Sequence, residues 1–144
     1  MVFAYALLGV PGLGDDSRRA IEQTEEIDVP DLFRAELVNT VWQWARIGRV
    51  PMQTARAVLS GTERLLTRVV PSDQLWQDAL ELAIARQHSP YDTLFVALAI
   101  QTGTRLVTYD RRLRELFPAH AISVPEYLRE NSQGRGNFRP FQSY

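Results

Sequence analysis

Four short apolar runs, at residues 27–29, 69–70, 106–108 and 121–123, alternate with stretches of helical periodicity, and this alternation leaves few folds open. Parallel strands cannot be joined by a tight turn; they need a long crossover, usually a helix. Strands this short and apolar fit a sheet covered on both faces. The pattern predicts an α/β fold: a helix-rich, three-layer α/β/α sandwich with a short parallel central sheet.

The intervening stretches read as helices. Residues 3–8 form a short apolar helix closed by the glycine- and proline-containing turn at 9–14, and Asp15 and Asp16 start another that runs to about residue 25. After Pro30 and Asp31 a longer helix reaches about residue 47, with Leu32, Ala35, Val38, Trp42 and Ala45 on one stripe. Pro51 suits the first position of the next helix, to about residue 68. Ser72 caps a helix over 73–87, and Ser89-Pro90 opens one that ends at Gly103. A short basic helix follows Asp110, and a last one spans 125–130. The expectation is one domain over residues 1–131 and an irregular tail over 132–144, with no internal repeat.

The 144 residues suffice for a single core, and 45% hydrophobic content describes an ordinary globular chain. There is no cysteine, which fits a reducing compartment and excludes thiolate metal sites. All 16 basic residues are arginine, yet the net charge of -1 gives no overall attraction to nucleic acid or membrane. No apolar run has the length of a membrane span, and the apolar start lacks the flanks of a signal peptide, so the expected location is cytoplasmic.

In an open parallel sheet, ligands bind along the edge where the strands end. Three acids fall at that edge. Glu36 lies early in the helix after residues 27–29, Asp92 lies in the first turn of the helix leading into 106–108, and Asp110 comes just past that strand. Carboxylates pressed together take up protons unless a cation neutralises them. An all-oxygen set suits Mg²⁺ or Mn²⁺, which can acidify a bound water and stabilise the leaving oxygen of a phosphodiester. Each acid also has a structural explanation. Ser89 to Asp92 has the form of a capping box, Asp110 could cap the helix after it, and Glu36 could be an exposed helical residue. His88 and His120 flank prolines in loops and receive no role.

Order and spacing together resemble the PIN-domain family. Residues 29–39, VPDLFRAELVN, look like the family's proline-started helix with its second acid, here Glu36. Residues 89–99, SPYDTLFVALA, are similar to the stretch carrying the third acid, here Asp92. Residues 105–113, RLVTYDRRL, resemble the strand and loop with the fourth, here Asp110, and Thr108 as the accompanying hydroxyl. The resemblance spans roughly residues 3–128, and the compact form looks closest to the VapC-type toxins.

That resemblance implies an endoribonuclease dependent on Mg²⁺ or Mn²⁺, dimeric, acting on RNA and held inactive by an antitoxin protein. Glu36, Asp92 and Asp110 would hold the metal, and Thr108 would orient a ligand or water. Arg34, Arg111 and Arg112 would contact RNA phosphates, or else pair with neighbouring acids. One departure stands out. The family's first acid ends a first, central strand, whereas here the residues resembling the helix after it begin at Val2, with no aspartate before them. The first strand is therefore expected to be absent, metal binding by residues 1–144 weak and cleavage slow. The alternative is a catalytically silent PIN-like module that binds RNA or an antitoxin. The tail, especially residues 138–144, is one candidate to fill the strand's place.

Overall fold

The computed structural model describes residues 13–133 and the backbone of 142–143. The short helix read at residues 3–8 lies outside them. Among the described residues the order is α1 (Leu13–Glu22), β1 (Asp28–Pro30), α2 (Leu32–Arg46), α3 (Met52–Leu65), β2 (Arg68–Val70), a 3-10 turn (Ser72–Gln74), α4 (Trp76–Arg86), α5 (Pro90–Thr102), β3 (Leu106–Val107), α6 (Arg111–Leu116), β4 (Ala121–Ile122), α7 (Val124–Gln133) and β5 (Gln142–Ser143).

All strand pairs are parallel. β1 pairs with β2, Val29 opposite Val69, and β3 lies between β4 and β5. The strands are short, but flanking residues extend the ladders. Asp31 N donates to Val70 O at 2.9 Å, Thr108 N to Ile122 O at 3.0 Å, and Leu106 N to His120 O at 2.8 Å. Just beyond β1, the Asp31 carboxylate accepts from the backbone N and hydroxyl of Ser72, fastening the carboxyl ends of β1 and β2 together. The Ser72 hydroxyl is the main reason the Asp31 carboxyl is held below its usual pKa.

The tail, expected to be irregular from residue 132, contributes β5. Gln142 and Ser143 lie beside Leu106 and Val107, on the side of β3 away from β4. Pairing of this kind uses only backbone groups, so a polar dipeptide can supply it.

Helix α5 is buried along most of its length. Thr93, Phe95, Val96, Ala97, Leu98 and Ala99 are all buried, as in a helix packed on most sides. Its Thr93 hydroxyl donates to Ala79 O of α4 at 2.7 Å, which fixes the two helices in register. Gly103 ends α5 with φ +65, the left-handed region where glycine carries no Cβ penalty.

The buried face of α2 differs from the stripe read in the sequence. Phe33, Leu37 and Val41 are buried, whereas Val38 and Trp42 are 51% and 53% exposed. Two apolar stripes run along this helix, and the one at 33, 37 and 41 faces the sheet. Phe33→Ala is therefore expected to cost about 3–5 kcal/mol. Trp42→Ala, which loses chiefly the Arg46 guanidinium stacked 5.1 Å from its ring centroid, should cost about 1 kcal/mol or less. Urea unfolding of the two variants measures both; equal losses would mean that the stripes have been assigned to the wrong faces.

Candidate metal centre

β1 and β3 end at one edge of the molecule, and α5 starts there because it runs back against β3. The residues at that edge surround a cleft of about 180 Å³. Its polar lining is Glu36 from α2, Asp92 from α5, and Thr108 and Asp110 from the loop after β3; its apolar lining is Phe33, Phe95, Leu106 and Leu113. The four residues singled out in the sequence as a candidate catalytic set thus line one cavity.

The loop after β3 is held from several sides. Asp110 N donates to the Thr108 hydroxyl at 3.0 Å, and Asp110 Oδ1 accepts from Leu113 N at 3.0 Å, capping α6. The structural explanation for Asp110 is therefore correct for one of its oxygens, and the other is not needed by the cap. Between them, the Tyr109 hydroxyl bonds Ser17 Oγ of α1 at 2.7 Å. At the start of α5, the Ser89 hydroxyl accepts from Tyr91 N at 3.3 Å. The Asp92 carboxylate faces His88, with Oδ2 3.0 Å from Nε2.

Apolar walls and like charges act together on the acids. Burial, followed by the charge of Asp92, pushes the Glu36 carboxyl up to about 7. Burial also raises Asp92; its neighbour Asp110 pushes the same way and His88 partly opposes. Carboxylates this reluctant to ionise are stabilised by a cation, so the donor set fits a hard divalent ion. His88, Asp92 and Asp110 each offer one ligand atom, all within 4.8 Å of one another. Glu36 stands across the same cleft.

The arginines are arranged differently from the acids. Arg34 forms a two-pronged ion pair with Glu63 of α3, and Arg111 pairs with Glu115 at 2.8 Å, one turn along α6. Neither lines the cleft. Arg112 is exposed and makes no ion pair among the described residues. His88, given no role in the sequence, is the residue that the acids alone did not reveal. The available signal was its position four residues before Asp92.

The described residues thus form a parallel α/β domain, with sheets β1–β2 and β4–β3–β5, whose acids gather beyond the ends of β1 and β3. The PIN domain family matches residues 2–116 of the chain. Ribonuclease VapC3 of Pyrobaculum aerophilum is 34% identical over 119 residues, covering 81% of this chain and 91% of that protein. The chain belongs to the PIN-domain family, in its VapC-type branch.

Proposed function

We propose that the protein is a metal-dependent endoribonuclease of the toxin–antitoxin type. The observation that carries this reading is the convergence of Glu36, Asp92, Thr108 and Asp110 on one apolar-walled cleft. The ribonuclease relative supports the choice of RNA as substrate. Glu36, Asp92 and Asp110 would hold Mg²⁺ or Mn²⁺, which when bound supplies an acidified water and stabilises the departing oxygen. Thr108 keeps the Asp110 loop in place, and Phe33, Phe95 and Leu106 limit water access and strengthen the electrostatics of the cleft. Arg112 is the arginine best placed to take an RNA phosphate without first breaking an ion pair, in contrast to Arg34 and Arg111.

The same reading includes partners and location. Trp76, Leu80 and Ile84 stand 60%, 55% and 69% exposed at one-turn intervals along α4, a stripe suited to a second copy or an antitoxin helix. No helix among the described residues is long and apolar enough to cross a membrane; the location that goes with this reading is the cytoplasm.

A silent RNA- or antitoxin-binding module is the second reading. It is favoured by one observation: burial holds Glu36 and Asp92 toward their neutral forms, which weakens the pull of the cleft on a cation. Incubating an RNA pool with residues 1–144, and with a form extended upstream by a strand ending in aspartate, separates the two. The enzyme reading expects cleavage that EDTA abolishes and Mg²⁺ or Mn²⁺ restores, faster in the extended form. Binding without cleavage by both forms would establish the silent module.

A further inference from the structure

His88 is the group in the cleft region that the proposed function leaves unused. It is held between two rigid helix ends. α4 stops at Arg86, Gln87 turns the chain with φ 51, and His88 N donates to Ala83 O at 3.1 Å before Pro90 begins α5. The imidazole is largely enclosed, its side chain 16% exposed, and Nε2 itself is buried. That nitrogen lies 3.0 Å from Asp92 Oδ2, an ion pair when the ring is protonated, but the two are poorly aligned for a hydrogen bond. A buried imidazole nitrogen without an aligned partner is costly unless something else satisfies it.

The spacing indicates what that partner is. Two donors bound side by side to one ion at about 2.1 Å are separated by about 3.0 Å in an octahedral shell. Nε2 and Oδ2 already stand at that separation, and Asp110 brings a third donor within 4.8 Å of both. We propose that His88 Nε2 is a direct ligand of the divalent ion, shared with Asp92 and Asp110, so that the centre is mixed nitrogen–oxygen rather than all-carboxylate. This deepens the proposed function and rests on its metal site.

A nitrogen ligand changes which ion is preferred. Mg²⁺ favours oxygen donors, whereas imidazole binds later first-row ions progressively better, in the order Mn²⁺, Fe²⁺, Co²⁺. The centre therefore selects Mn²⁺ and Co²⁺ over Mg²⁺ more strongly than three carboxylates would. A His88 that merely hydrogen-bonded Asp92 would orient the carboxylate for every ion alike.

The test uses the full chain with each metal alone, by calorimetry and by pulsed electron paramagnetic resonance of the Mn²⁺-loaded protein. The wild type should show ¹⁴N coupling from a bound imidazole. His88→Gln should lose that coupling and weaken Co²⁺ and Mn²⁺ by about tenfold or more, while Mg²⁺ changes by less than about threefold. Bound Mn²⁺ without ¹⁴N coupling overturns the proposal, and this readout needs no variant to fold. Equal weakening for Mg²⁺ and Co²⁺ also overturns it, reducing His88 to a positioning residue. If the wild type binds no divalent ion while Asp92→Asn and His88→Gln behave identically to it, the underlying metal reading fails as well.

Discussion

Asp92→Asn is expected to lower RNA cleavage by about a thousandfold, in whichever form of the chain cleaves fastest, and to leave the fold intact. The amide keeps the shape of the side chain but removes one charge and one ligand oxygen. Metal-assisted stabilisation of the reacting phosphodiester is worth several kcal/mol, and each ~1.4 kcal/mol is tenfold in rate, so losing about 4 kcal/mol gives that factor. The fold should tolerate the change because burial already disfavours the charged Asp92, and the packing of α5 runs through Thr93, Phe95 and Val96 instead. Thermal unfolding of the variant checks the second half of the claim. Cleavage within tenfold of the wild type would remove Asp92 from the chemistry.

Glu36→Gln should stabilise the metal-free protein at pH 8 and leave it unchanged near pH 4. The sign follows from the direction of the shift. Glu36 titrates at about 7 in the folded protein, against 4.5 for the unperturbed group, so folding favours its neutral form. The stability this contributes is fully present below about 4.5, and declines as pH rises until it is gone above about 7. Glutamine is neutral throughout and escapes that loss. Allowing for the solvent that reaches a half-buried carboxyl, the difference at pH 8 is on the order of 1–2 kcal/mol. Mn²⁺ should restore the wild type at pH 8 and do much less for the variant. Urea unfolding across this range is the measurement, and a difference between the two proteins that does not vary with pH would refute the assignment.

The alternation of short apolar runs with helical stretches disclosed the parallel α/β arrangement, because the crossover requirement leaves little choice. The gathering of Glu36, Asp92 and Asp110 followed from the same rule, since helix starts and strand ends share one edge. Other features depended on contacts that periodicity does not encode. On α2 the stripes at 33, 37 and 41 and at 38 and 42 are both apolar, and only the packing determines which is covered. β5 carries no apolar signal, since Gln142 and Ser143 join β3 through their backbones. Arg34 lies two residues from Glu36, yet its guanidinium goes to Glu63, on the neighbouring helix. His88 sits in a turn before a proline, where sequence gives no direction for a side chain; the left-handed Gln87 and the packing of α4 on α5 supply it.

The central claim is that Glu36, Asp92 and Asp110 form one centre for a divalent ion. A Mn²⁺ titration at pH 8, followed by water-proton relaxation, tests it most directly when run on the wild type and on Glu36→Gln, Asp92→Asn and Asp110→Asn. The account predicts saturable binding by the wild type and weaker binding by each variant. Superimposable titration curves for all four proteins would contradict it.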